Sequence, residues 1–228
     1  MSRPVALLVT GASGMRLPLH LLRALAACPA VERVHLVVSA GASQVLRHEL
    51  ALEQPGGRAL LAASGLPAAA AERVVIHRDS ELDAPISSGS YRLAGTVVLP
   101  CSAATLGALA TGSGSTLVHR AGAVAIKERW PLLLGFRETP LSVLHLENMR
   151  RLAYAGATVV PPIPAFYVAR PEAAGDGAAA GERETGETGE TGETSETFER
   201  FLDAYALRLL DHLGLPAPAA AAGLRWEG

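Results

Sequence analysis

Short apolar runs alternate along this chain with longer stretches of helical spacing, the pattern written by a parallel sheet with crossover helices. Residues 5–9 read as a buried strand that ends in Thr10-Gly11-Ala12-Ser13-Gly14. Residues 17–27 then have helical periodicity, and Pro18 is tolerated there only in a first turn. A second strand is predicted over 34–38, followed by Ser39 and a helix through Glu49. Residues 53–72 are small and polar and read as a loop carrying a short helix. Further strands are predicted at 73–76, 96–99, 132–134 and 158–160. Helices are expected at 105–110, 141–155 and 198–213, the last closed by Gly214. The unit count fits one doubly wound α/β domain spanning residues 1–228, of flavodoxin-like or Rossmann-like type.

One stretch breaks the pattern. Residues 171–197 collapse to Gly, Ala, Glu and Thr, with Gly-Glu-Thr repeating over 186–194. Such a composition buries too little apolar surface to offset its ordering entropy, so it is expected to be a disordered insert within the domain.

Composition narrows the classes. With 228 residues, 49% of them hydrophobic, a sizeable single core is expected. The formal charge of −2 is mixed along the chain, with no basic stripe for nucleic acid and no apolar run long enough for a bilayer. The start of the chain lacks a signal-peptide pattern, and Cys28 and Cys101 make neither a disulfide framework nor a zinc site. The cytoplasm is the expected compartment, without membrane or nucleic-acid partners.

Candidate chemistry gathers at predicted strand exits, where open α/β sheets place ligands. The Gly11-Ala12-Ser13-Gly14 turn lets backbone amides approach a phosphate at a helix N-terminus. Alone it is weak evidence, since many α/β proteins turn this corner with small residues, and it is not the six-position dinucleotide fingerprint. Ser102, Ala103, Ala104 and Thr105 leave a strand with hydroxyls and amides exposed, although N-capping by Ser102 accounts for the same residues. Arg137-Glu138 follows the strand at 132–134, so both are expected near the ligand edge. Arg120 and Lys127 add cations, while Glu128 and Arg129 read as a solvated charged face. Cations beside a carboxylate suit a phosphate dianion and a nearby proton transfer. Lys127 follows Val124-Ala125-Ile126, so its stem is expected to be buried. Arg208 is spaced to face away from Leu209-Leu210. A proline-rich course over 161–164 would hold Tyr167.

Taken in order, Gly-Ala-Ser-Gly, Ser-Gly-Ser-Tyr (88–91), Pro-Cys-Ser (100–102), Lys-Glu-Arg (127–129), Arg-Glu-Thr-Pro-Leu (137–141), His-Leu-Glu-Asn-Met (145–149) and Pro-Pro-Ile-Pro-Ala-Phe-Tyr (161–167) resemble the UbiX-type flavin prenyltransferases. The resemblance resumes at 208–211 and touches Arg225-Trp226. It implies FMN bound between subunits by Gly11, Ala12, Ser13, Ser39, Ser102, Ala103, Ala104, Thr105 and Arg137. It implies dimethylallyl phosphate held by Lys127, Tyr167 and Arg208, with Arg120 close by and no metal. Ser13 and Glu49 would relay a proton around flavin N5. Glu138 would act during ring closure at C6, and Trp226 would offer a π face to the allyl cation. A UbiD-type decarboxylase would receive the prenylated FMN, and the assembly would be a homododecamer.

The chain departs from the family in Met15-Arg16-Leu17-Pro18-Leu19, where small residues and a Tyr-Gly pair are usual. Trp130 and Gly122 also replace customary residues. A long Met and a Pro at 15–18 would reshape the floor of the flavin site, which leaves a non-catalytic FMN-binding relative as an alternative. A flavin-dependent cysteine decarboxylase is disfavoured, because those enzymes use an Asn-His pair and the only asparagine here is Asn148.

Overall fold

β1 (Arg3–Val9) is apolar without alternation and buried from Pro4 onward, as a strand covered on both faces must be. In the computed structural model, which describes residues 2–164 and 190–218, β1 lies in the interior of a six-stranded parallel sheet. Its companions are β2 (Val31–Val38), β3 (Val74–Arg78), β4 (Gly95–Cys101), β5 (Leu132–Phe136) and β6 (Thr158–Val159). The order is β3-β2-β1-β4-β5-β6, with Leu7 of β1 level with Leu36 of β2 and Val97 of β4. Of the two topologies left open by the sequence, this is the Rossmann order; a flavodoxin sheet runs 2-1-3-4-5.

Successive β1 residues feed opposite cores. Val5, Leu7 and Val9 pack with α1 (Arg16–Ala27), α2 (Ala40–Leu50), α3 (Gly57–Ala63) and α8 (Glu190–His212). Ala6 and Leu8 pack with α5 (Ala103–Thr111), α6 (Leu117–Glu128) and α7 (Val143–Tyr154). The short α4 (Ala68–Ala71) completes the helices, and no helix among the described residues is long and apolar enough to cross a membrane. Pro18 sits in the first turn of α1, where its missing N–H costs nothing.

Three expectations are corrected. The 53–72 segment holds two short helices, α3 and α4, rather than one. Residues 117–128, read for their charges, form α6, whose Leu117, Val118, Ala121, Val124 and Ala125 make a small buried stripe. The 171–197 segment is not one unit: α8 begins at Glu190, so its last residues are helical, while 171–189 lie outside the described residues.

α8 is tied down at several points. His20 of α1, 4% exposed, places Nδ1 2.5 Å from Asp203 and Nε2 3.0 Å from Glu199, and Arg16 also pairs with Glu199. Tyr205 donates its hydroxyl to the Val160 carbonyl at 2.6 Å. Leu213 packs so closely over Gly95, the first residue of β4, that a Cβ there would lie 2.4 Å from it.

Candidate functional site

Between β1 and β4 the chain reverses its direction of travel across the sheet, and the carboxyl ends of those strands frame a crevice. Thr10, 1% exposed, fastens the two rims: its hydroxyl donates to the Pro100 carbonyl at 2.7 Å and accepts from the Ser102 amide at 2.8 Å. The Ser39 amide in turn donates to the Val9 carbonyl at 3.0 Å, and the Arg137 amide to the Cys101 carbonyl at 3.2 Å. The turn at 11–14, Ser39, Ser102–Thr105 and Arg137 therefore meet at one edge. Thr10 was not singled out by the sequence. Its signal, a hydroxyl residue at the end of a buried run, is shared by many strands.

The turn itself is shaped by close approach. A Cβ on Gly11 would stand 2.9 Å from the backbone of Gly41 in the first turn of α2, and Gly14 has φ +108°. Gly11 and Ser13 are exposed, whereas Met15 is wholly buried in the core beneath α1. The departure at 15–19 thus fills the interior and leaves the turn open. Arg16 alone of that stretch faces solvent, and it pairs with α8.

Three helices begin at this edge, and their free N–H groups favour negative charge. Ser39 caps α2 by accepting the Ala42 amide at 3.2 Å. Ser102 caps α5 by accepting the Thr105 amide at 3.3 Å, and it also donates to the Thr105 hydroxyl at 3.1 Å. The N-capping expected of Ser102 is thus present. α1 has no side-chain cap of its own. Glu49, from the end of α2, accepts the Gly14 amide at 3.0 Å and the Met15 amide at 2.7 Å. Beside the same rim, burial pushes the Cys101 thiol up to about 12, so it stays protonated and inert as a nucleophile.

The expected phosphate ligands are distributed differently. Lys127 is exposed at the end of α6 and paired with Glu128, so the buried stem expected of it is not found. Arg120 donates to the Ser87 carbonyl at 3.0 Å. Arg208 is exposed on α8 while Leu209 and Leu210 are buried, as its spacing required. However, α6 and α8 cover opposite faces of the sheet. Lys127 and Arg208 of one chain therefore stand on helices that flank the sheet from opposite sides. Glu138 is exposed beside Arg137 and accepts the Thr139 amide at 3.0 Å. Tyr167 and Trp226 lie outside the described residues. Among the described residues no cluster of His, Cys, Asp or Glu could hold a metal ion.

This fold and edge define a doubly wound α/β protein with a crevice at its switch point, rimmed by hydroxyls and helix N-termini. The family model described as Flavoprotein matches residues 1–184. The flavin prenyltransferase UbiX of Synechocystis sp. is 42% identical over 170 residues, covering 73% of this chain and 82% of the relative. The structure of AnUbiX (PadA1) in complex with FMN and dimethylallyl pyrophosphate matches with a TM-score of 0.74 and 32% identity, covering 100% of this chain and 99% of that one. A dodecameric FMN-dependent Ubix-like decarboxylase from Escherichia coli O157:H7 matches with a TM-score of 0.71 and 33% identity, covering 99% of each chain. The chain belongs to the flavoprotein family and, within it, to the UbiX-type flavin prenyltransferases.

Proposed function

We propose that this protein transfers a dimethylallyl group from dimethylallyl phosphate to FMN, first at N5 and then at C6. The observation that carries this reading is the single edge shared by the 11–14 turn, Ser39, Ser102–Thr105 and Arg137 in a chain of this family. That donor set fits a flavin mononucleotide. Capped helix starts and a guanidinium suit its phosphate, and exposed amides and hydroxyls suit its polar ring edge.

The flavin supplies the nucleophilic nitrogen and ring carbon. The chain's residues hold the donor and move protons. When the allylic C–O bond breaks, its electron pair leaves with the phosphate, so clustered cations favour departure without a metal. Arg120, Lys127, Tyr167 and Arg208 are assigned to that phosphate. Ser13, exposed at the turn, and Glu49, held by backbone amides, are assigned to a proton near N5. Glu138 is assigned to proton transfer at ring closure, and Trp226 to an aromatic wall. The product is the prenylated flavin used by UbiD-type decarboxylases, and the reaction belongs in the cytoplasm.

Lys127 and Arg208 lie on helices that cover opposite faces, and we assign their joint use to neighbouring protomers. The outer face of α7 supports self-association: Val143 is 74% exposed, Leu144 75% and Tyr154 82%. Apolar side chains so exposed on one helix mark an interface. The dodecameric state of the Escherichia coli relative fits the same assembly.

The test is the mass of flavin released from the protein after incubation of reduced FMN with dimethylallyl phosphate. A gain of one C5H8 unit is expected. Flavin that binds and is released unaltered would replace this reading with the non-catalytic FMN-binding one.

A further inference from the structure

His35 and His77 are the buried histidines of a sheet whose described side chains are mostly aliphatic. They stand on neighbouring strands, β2 and β3, on the face shared with Val37, and are 2% and 9% exposed. Their rings stack at 5.1 Å with 17° between planes, and His35 Nδ1 is 2.8 Å from His77 Nε2. His35 Nε2 is 2.9 Å from the Tyr91 hydroxyl, whose ring meets it edge-on. Buried imidazole nitrogens need partners, and a neutral ring offers one donor and one acceptor. The three groups satisfy this as a directed chain, either from Tyr91 through His35 to His77 or in reverse. Burial holds His35 down to about 4 and His77 below its ordinary value, so both rings are neutral at physiological pH.

Among the described residues no α-helix lies over the histidine pair. The connection from β3 to β4 does so, with one 3-10 turn (Pro85–Ser87) that packs on α6. Tyr91 ends the 87–91 loop, which is folded on itself by the Tyr91 amide donating to the Ser88 carbonyl at 3.2 Å. The other side of that loop meets the cations of α6. Arg120 donates to Ser87, and Gly89 lies so near the last turn that a Cβ would sit 2.9 Å from Lys127 Nζ and collide with Glu128. The loop is therefore held between the histidine pair and the two cations.

We propose that His35, backed by His77, is a positioning residue for the prenyl donor: through the Tyr91 hydroxyl it seats the 87–91 loop, and the loop fixes where Arg120 and Lys127 present their charges. This rests on the assignment of Arg120 and Lys127 to the donor phosphate. The hydroxyl of Tyr91 is the link, since it is the group on the loop that bonds to the buried pair.

Steady-state kinetics of the full-length protein test it, with FMN affinity and melting temperature measured alongside. Tyr91→Phe keeps the ring and removes the link, so the donor KM should rise about 3- to 10-fold, the worth of one hydrogen bond. The value of kcat at saturating donor and FMN affinity should hold. His35→Leu should act alike, the double variant should add little, and His35→Gln should recover part of the loss. Lys127→Ala serves as the control on the underlying assignment. A raised donor KM there, with unchanged KM in both Tyr91→Phe and His35→Leu, would overturn the positioning role alone. An unchanged KM in Lys127→Ala would overturn the phosphate assignment and this role with it. Parallel losses in KM, kcat and FMN affinity would reduce the histidines to general packing and likewise overturn the proposal.

Discussion

Glu49 accepts the Met15 amide at 2.7 Å and so caps helix α1 from the last turn of α2. α1 has no side-chain cap of its own and borrows this carboxylate across a strand connection, as α6 borrows that of Asp79 at the Val118 amide, 2.9 Å away. The Glu49 carboxylate is the one assigned to a proton near the flavin. Glu49→Ala should therefore lower stability by about 1 kcal/mol, or roughly 2–4 °C in Tm, as a lost cap does. Glu49→Gln keeps one acceptor oxygen, and should retain FMN while product formation falls about 10²-fold. Thermal unfolding read beside product mass separates the two roles. Equal losses of FMN binding and turnover in Glu49→Gln would leave only the cap.

Gly11 lies against Gly41 with no room for a methyl group. Gly11→Ala should displace the turn from the α2 start and weaken FMN binding by about tenfold or more, a cost of roughly 1.4 kcal/mol. Quenching of FMN fluorescence on titration measures this. Undiminished affinity would show that the turn is not part of the flavin site.

Acid should weaken the fold through its buried histidines. The His35 pKa falls from 6.5 to about 4, chiefly by burial, with His77 and Arg33 adding to the effect. Above about pH 6.5 the ring is neutral in both states and carries no penalty. As pH falls from 6.5 towards 4, the unfolded ring binds a proton that the folded one refuses, removing on the order of 3 kcal/mol. Urea unfolding at pH 7 and pH 4.5 should show this loss, and His35→Leu should flatten the slope between them. A slope unaltered by that substitution would count against the buried neutral ring.

Opposite-face placement of Lys127 and Arg208 makes a prediction about mixtures. Lys127→Ala and Arg208→Ala should each raise the donor KM about 10- to 100-fold, the worth of a charge-assisted contact. FMN affinity should barely change in either. Co-assembled in equal amounts, they should regain about a quarter of the normal sites, since each site would draw the two residues from different protomers of one symmetric assembly. Mixtures no more active than the separate variants would refute a shared site.

The strands were legible because a run buried on both faces has no polar alternation to confuse with a helix. Their lateral order was not, since nothing in β1 names β4 as its neighbour. The edge that gathers the candidate residues was readable in part for a local reason: strand exits and helix caps use the same few residues at fixed offsets, as at Ser102. Thr10 and Gly41 escaped notice because their roles depend on partners distant in sequence. α6 was hidden by charge, with Arg120 and Lys127 drawing attention from the small residues between them. The placement of Lys127 and Arg208 on helices that cover opposite faces of the sheet was not readable, since it depends on the lateral order of the strands.

The bond from Tyr205 to Val160 bears on the segment that links β6 to α8. With the clamp at His20 and the seat of Leu213 on Gly95, it fixes α8 from contacts lying on both sides of that link. Length in the link is then nearly free, because closing a longer loop between fixed ends costs only about 0.6 kcal/mol per doubling. Removing residues 173–189 should leave soluble, FMN-binding protein, and loss of the assembled form would show otherwise. The reverse operation is equally permitted: this is the position in the chain where a reporter domain can be spliced in without moving the helix that carries Arg208.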